Sequence, residues 1–420
     1  MPNFFSRRRF LQSQGALAAL GAAPLLRAGT KTSTSVPSVG TDYYDKLGVI
    51  KIINAAGVFT TYTGSTMPRE VQLAVDQAAL HPVHLIDLQV KSGEYIAKQL
   101  RSEGAVITCG ASSAITLAVA ACLQSANQCK PTDIPQEIGG KFPKNEIIIQ
   151  KAHRYSYDRA MYMCGAKIVQ VVTLEDYRRA FTPNTVMTNF FNAGDDALIG
   201  QKEWLEIAHQ HGVPCHLDAA ADMPPIENLW KYTGMGWDLV CFSGGKGLRG
   251  PQNAGLLLGK KHLTDFAHAN NNPYDGVGRG MKVAKEQLVG MVAAVDWILT
   301  QNDVDMAKEF TRRANVIGAM MKDIPTMTAT IETAPIANHV PHLYLRYDPA
   351  KVGITTAQVQ ERLRAGNPGV ELHPSTGMKE GSEGLPSGTN ALIVGTWMMQ
   401  PGEEVVTGQL IRKILMNPAG

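Results

Sequence analysis

The sequence predicts an α/β protein: a large domain with a mostly parallel, seven-stranded-type sheet between helices, and a small C-terminal α+β domain. Two observations predict it. Short apolar runs of strand length alternate with helix-length segments from about residue 105 to residue 258, the rhythm of a parallel sheet. A chain of 420 residues, 44% hydrophobic and 18% charged, is also long enough to bury one large core and one smaller one.

The chain opens on Ser6-Arg7-Arg8-Arg9-Phe10-Leu11-Gln12, followed by an apolar stretch over 17–26 with small residues at Ala22, Ala23 and Ala28. That pattern predicts a twin-arginine export signal over 1–28. The apolar stretch is well short of the roughly 20 residues a membrane span needs, so no stable anchor is expected after processing. Residues 29–41, rich in Ser, Thr, Pro and Gly, read as a linker. The expectation is a periplasmic or secreted protein, exported folded by the twin-arginine machinery.

An N-terminal segment, 42–90, follows, with a helix over 68–80 that carries proline in its first turn. The large domain is expected over 91–300. Its strands read at 105–108, 146–150, 167–172, 213–217, 238–242 and 254–258, and its helices at 114–124, 155–164, 201–211 and 283–299. The small domain, 301–420, reads as a helix over 306–321, strands over 327–332 and 342–347, a helix over 356–364 and a closing helix.

A net charge of +3 spread over this length makes no basic stripe, which argues against a nucleic-acid partner and for a small molecule. Six cysteines form no C-x-x-C pair and have no histidines at zinc spacing, so no metal is expected. Cys109, Cys215 and Cys241 lie in apolar runs, where free buried thiols are the common state.

In open parallel sheets ligands bind beyond the carboxyl ends of the strands. Four such ends carry polar residues. Ser243-Gly244-Gly245-Lys246-Gly247 follows an apolar strand and holds a lysine among glycines. The nucleotide-binding pattern G-x-x-x-x-G-K-[ST] fails, because position 240 is valine and position 247 glycine. A lysine desolvated in such a loop has its ammonium form disfavoured and becomes a nucleophilic amine. Asp218 ends a strand expected to lie beside it, where a carboxylate can hold a pyridinium nitrogen protonated.

Gly110-Ala111-Ser112-Ser113 joins a strand to a helix, and free amides there with two hydroxyls make a phosphate cup. His153 ends a further strand with a planar ring able to cover a pyridine face. Taken singly, each has a plainer reading: a surface lysine, an aspartate or serine cap, an ordinary strand-end histidine. Together, in this chain order, they point to pyridoxal 5'-phosphate.

The same order resembles the aspartate aminotransferase superfamily of pyridoxal enzymes, fold type I. Ile53-Asn54-Ala55-Ala56-Gly57, the Asp218 to Asp222 run with Met223-Pro224-Pro225, Ser243 to Lys246 with Gly250-Pro251-Gln252, and Gly278-Arg279-Gly280-Met281-Lys282-Val283 resemble its selenocysteine synthase-like branch. That branch includes L-seryl-tRNA selenium transferases and D-glucosaminate-6-phosphate ammonia-lyase. The resemblance implies that Lys246 carries the cofactor, Asp218 faces its pyridine nitrogen, Gly110 to Ser113 bind its phosphate and Ser243 helps them. It leaves His153 as ring stacker and Asn54 and Arg279 as candidate substrate contacts.

Two departures set this chain apart from selenium transferases. Gly245 stands where they carry an acidic residue before the lysine, and only the signal and linker precede Asp42 where they have a tRNA-binding domain. The implied chemistry is therefore proton removal from the alpha carbon of an amino acid or amino-sugar acid followed by loss of a beta substituent, a lyase reaction. A racemase or aminotransferase on the same carbanion, or a non-catalytic sensor that keeps the cofactor, are the alternatives. A homodimer or higher homo-oligomer is also implied.

Overall fold

The computed structural model describes residues 40, 42–192, 198–376 and 390–419. The expected export signal and, Gly40 apart, the linker lie outside the described residues. Met1–Val49 form one unit, and Ile50–Gly420 a second, compact one. In the first, helix α1, Tyr43–Leu47, is capped by Asp42, whose side chain accepts from the Tyr44 and Asp45 amides.

The second unit is built on a seven-stranded sheet made from β2 (Gly104–Thr108), β3 (Glu146–Gln150), β4 (Lys167–Val171), β5 (Thr185–Phe191), β6 (Cys215–Asp218), β7 (Leu239–Ser243) and β8 (Gly255–Gly259), with β1 (Ile52–Ala55) outside it. The order is β2-β8-β7-β6-β5-β3-β4. Only β8 runs antiparallel, to β2 and β7 on either side. The connection from Ser243 to Gly255 explains this, because a parallel crossover needs a dozen or more residues, usually a helix, and a shorter loop can only turn back. The carboxyl ends of β2, β3, β5, β6 and β7 therefore share one edge.

Both faces of the sheet are buried, as a parallel sheet requires. Along β7, Val240 and Phe242 join one core with Met291, Ala294 and Trp204, while Leu239 and Cys241 join another with Ile115, Leu117 and Val119. The second face is covered by α2, Gly110–Asn127, whose residues from Ser113 to Gln124 are all buried. This helix begins four residues before the expected 114, which places Gly110 at its first position.

The C-terminal part makes a three-stranded antiparallel sheet, β12-β10-β9, from β9 (Thr328–Thr333), β10 (Pro341–Arg346) and β12 (Ala391–Gly395). A separate core with Ile317, Leu343, Leu345, Val394 and Ile411 holds it to the flanking helices. Between them β11 (Gly369–Leu372) pairs in parallel with β1, tying the N-terminal segment to this part of the chain.

Two expectations need correcting. The helix expected over 155–164 is a 3₁₀ turn, Ser156–Asp158, and a single turn, Arg159–Tyr162; Tyr155 is extended instead, because its side chain and that of Arg154 are held by Asp218 and Asp158. The central strand β5 had no expected counterpart. Its Thr188 and Asn189 are fully buried, so it carries no continuous apolar run. All six cysteines are free thiols.

Candidate active site

The site forms at the shared carboxyl edge. Asp218, the last residue of β6, stands opposite Cys241 of β7, and three residues past Cys241's strand comes Lys246. The glycines around that lysine are set by close approach. A side chain at Gly245 would come within 2.5 Å of Gln252, and one at Gly247 within 2.0 Å of the Met223 carbonyl. The turn thus packs backbone to backbone and presents only the lysine side chain.

Lys246 is half-buried, and desolvation lowers its pKa against the opposing pull of Asp218, Cys241 and Asp222. A neutral amine is thereby more accessible than on a surface lysine. Asp218 is 3% exposed, and its Oδ1 accepts from the Ala220 amide at 3.0 Å and the Cys241 thiol at 3.5 Å. Its Oδ2 accepts from the Tyr155 hydroxyl, and the Tyr155 ring stacks on Phe191 at 4.3 Å.

Asp222 lies beyond Asp218 in the same loop. Burial pushes its carboxyl up to about 7, although Asn192 Nδ2 at 2.6 Å and the Tyr232 hydroxyl at 3.0 Å both donate to it. Asn192 directly follows β5, so the strand missing from the sequence reading leads into a partner of this carboxylate.

At the end of β2, α2 starts on Gly110 with φ +76, a left-handed value that suits glycine, and open space lies where a side chain would project. Its N-cap residue, Cys109, makes no side-chain capping bond, which leaves the first-turn amides without the side-chain partner such a start usually has. The Ser113 hydroxyl is buried without a hydrogen-bond partner among the described residues. An unfilled anion cradle and an orphaned hydroxyl fit a bound phosphate. With a half-buried amine in the turn after β7 and a carboxylate at the end of the adjacent strand, the residues present fit pyridoxal phosphate.

Other expected residues stand differently. His153 is fully buried, its ring edge-on to Phe190 at 4.3 Å and its Nδ1 accepting from the Phe191 amide at 3.4 Å. Desolvation lowers its pKa to about 4, and its Nε2 has no partner. From this strand end, the side chain that reaches Asp218 is Tyr155, two positions on. Ser243 is half-buried at the end of β7, its amide bonded to the Ala220 carbonyl at 3.4 Å.

Asn54 serves the backbone. Its Oδ1 accepts from the Ala56 and Gly57 amides and its Nδ2 donates to the Gly57 and Gly64 carbonyls. It shapes the loop whose Ser65 amide bonds to the Gly245 carbonyl at 3.0 Å, next to Lys246. Arg279 bonds Asn272 Oδ1 at 3.1 Å, in a loop packed on Leu117 of α2. Neither side chain bonds to Lys246, Asp218 or Tyr155 among the described residues.

No family model matches the chain. It is 29% identical over 343 residues to a 5'-C-glycyluridine monooxygenase-decarboxylase from Streptomyces sp, covering 78% of this chain and 83% of that protein. It is 26% identical over 335 residues to the D-glucosaminate-6-phosphate ammonia lyase of Salmonella typhimurium, covering 77% and 87%. A shorter match, 31% over 147 residues and 30% of this chain, joins it to 29% of the L-seryl-tRNA(Sec) selenium transferase of Mannheimia succiniciproducens.

Among solved structures, a D-glucosaminate-6-phosphate ammonia-lyase superposes with TM-score 0.76 at 23% identity over 91% of this chain and 100% of the other. A serine palmitoyltransferase from S. paucimobilis, solved with bound PLP, superposes with TM-score 0.53 at 14% identity over 88% of each chain. In sequence and fold the chain is thus similar to pyridoxal-phosphate-dependent enzymes of fold type I, on the side of the selenocysteine synthases and D-glucosaminate-6-phosphate ammonia-lyase.

Proposed function

We propose that this enzyme is a lyase that removes the α-proton of an amino acid or amino-sugar acid and expels a β-substituent, releasing ammonia and a keto acid. The observation that carries the reading is the half-buried Lys246 amine, its pKa lowered by desolvation, in the turn after β7 and next to the strand that ends on Asp218.

When bound, pyridoxal phosphate supplies a sink for the electron pair left at the alpha carbon. The chain's residues do the rest. Gly110 to Ser113 hold the phosphate through first-turn amides and the Ser113 hydroxyl. Asp218 would face the ring nitrogen and keep it protonated, and its bonds from Ala220 and Cys241 fix the carboxylate's orientation. Lys246 Nζ, neutral for part of the time, takes the alpha proton as general base. The β-substituent then leaves with its bonding electrons, and water completes release of the keto acid and ammonia.

A second reading is favoured by the Streptomyces relative, whose name gives a monooxygenase-decarboxylase. It shares the amino-acid-like substrate but breaks the bond to the carboxylate and consumes oxygen. Incubating the holoenzyme anaerobically with amino acids of both hands and amino-sugar acids separates the two. Ammonia and keto acid formed without oxygen support elimination. Carbon dioxide release that requires oxygen moves the assignment to decarboxylation.

Export folded by the twin-arginine route, from the arginine pair and apolar run in 1–28, and assembly as a homodimer or higher homo-oligomer complete the proposal. Export suits a cofactor enzyme, because that route carries proteins already folded around a cytosolic cofactor. Fractionation of cells with and without Arg7→Lys/Arg8→Lys tests the first; light scattering of the holoenzyme tests the second.

A further inference from the structure

Three residues past Lys246, Arg249 bonds its amide to the Lys246 carbonyl at 2.9 Å and adopts φ +54. Left-handed backbone is unfavourable for any residue with a side chain, and glycine would adopt it freely. An arginine kept there points to a use for its side chain.

The guanidinium is held in place. Its Nε donates to the Thr66 carbonyl at 2.9 Å, its Nη2 to the Thr66 hydroxyl at 2.8 Å, and it lies 5.7 Å over the Trp297 ring. Among the described residues no carboxylate pairs with it. Burial, and then the like charge of Arg313, hold its pKa below the usual arginine range, so its surroundings do not offset the charge.

This unpaired cation lines a cavity of about 410 Å³, large enough for a small organic ligand. Trp297, Phe310, Trp397, Met306 and Met398 supply apolar and aromatic wall. Asp305 and Glu309 also line it, but each has its own base: Lys308 at 3.1 Å for Asp305, and Arg312 and Arg313 at 2.7 Å each for Glu309. The cavity thus offers one positive charge with no carboxylate partner among the described residues, aromatic walls and two acids already held by bases of their own. Asp218, Tyr155 and Ser113 are not among its lining residues, while Gly247, next to Lys246, is, so the cavity adjoins the Lys246 turn without reaching the Asp218 cluster.

We propose that this cavity is a second small-molecule site that binds a monocarboxylate with an aromatic body, its carboxylate on the free edge of Arg249 and its ring against Trp297 and Phe310. The remaining N–H groups of a guanidinium match a carboxylate two to two, and the aromatic walls match a ring. The inference does not rest on the elimination chemistry. Its failure would leave that reading standing, and the reverse holds as well.

Phenylacetate titrated into the holoenzyme, followed by tryptophan fluorescence, is the test, since Trp297 and Trp397 are both in the wall. A ligand of this size should give a saturable change with Kd on the order of 0.1–1 mM. Neutral benzyl alcohol should bind about tenfold weaker or worse, because it loses the ion pair.

Arg249→Gly, which suits the backbone at φ +54, should keep the thermal midpoint within a few degrees while weakening phenylacetate about tenfold or more. Met306→Trp, away from the Lys246 turn, should block binding by filling the cavity. The proposal is overturned by no saturable change below about 10 mM, by benzyl alcohol binding as well as phenylacetate, or by an unchanged Kd in either variant.

Discussion

The two edges of the seven-stranded sheet treat their polar side chains in opposite ways. At the amino edge, Asp238, just ahead of β7, accepts from the Cys215 amide at 2.8 Å and meets His209 Nε2 at 2.8 Å. The three residues bring a carboxylate, an imidazole and a thiol within 4.8 Å, the donor set of a metal ion. Yet the carboxylate is already met by protein donors, and the Cys215 thiol accepts from Thr188 at 3.3 Å. Burial holds that thiol's pKa at about 12, far from the thiolate a metal prefers. This edge is a closed staple between strand starts.

At the carboxyl edge some polar groups stay open. Ser113 Oγ and His153 Nε2 are buried without partners among the described residues, and a lysine amine shares one loop cluster with two hydrogen-bonded carboxylates, Asp218 and Asp222. Buried polar groups are almost always satisfied, so two orphans at this edge fit a ligand that completes their bonding.

The sharpest way to break this comparison is at the open edge. Lys246→Ala should lower kcat on the order of 10⁴-fold, read by keto-acid release, since the base is lost outright. Keto acid formed at full rate would end the assignment. Asp218→Asn should cost on the order of 10³-fold, because the carboxylate's charge, not its bonding shape, is what the site uses. Its cofactor affinity, measured by dialysis, should fall in the same variant.

A third test reads the strand between the edges. His216, two residues before Asp218, is fully buried, and desolvation lowers its pKa from 6.5 to about 4. The unfolded chain therefore takes up a proton that the folded one refuses. Stability is complete above pH 6.5 and drains away as the pH falls toward 4, by about 3 kcal/mol for this group. His153 adds to the same window. Urea unfolding at pH 7 and pH 4.5 should show a smaller loss for His216→Leu than for the natural chain.

The smallest effect belongs to the closed edge. Asp238→Ala should cost about 1–3 kcal/mol of stability, from an unsatisfied Cys215 amide and a lost His209 contact, and leave turnover per folded molecule unchanged. A loss of turnover comparable to that of Asp218→Asn would show that the two edges are not divided in this way.

Much of the site was legible in the sequence. Lys246, Asp218 and the Gly110–Ser113 turn stand out because each follows a short apolar strand, and glycine runs mark close backbone approach. Tyr155 was not, because nothing in Gln150 to Tyr155 says which of two aromatic rings turns toward Asp218. β5 escaped for a related reason: Thr188 and Asn189 are buried by pairing with side chains of other elements, Cys215 and His216, so the strand lacks an apolar signature. Asn54 looked like a substrate contact because its partners, Gly57 and Gly64, form a loop that only folding closes.

By itself the sequence determined the layered α/β architecture and singled out the lysine proposed to hold the cofactor and the helix start proposed to meet its phosphate, because these depend on period, glycine and local backbone. Only the tertiary structure decided the direction of β8, the pairing of β1 with β11, the approach of Tyr155 to Asp218 and the cavity at Arg249. Those depend on which side chains satisfy one another across the chain, and that is settled by burial and by the partners each buried polar group finds.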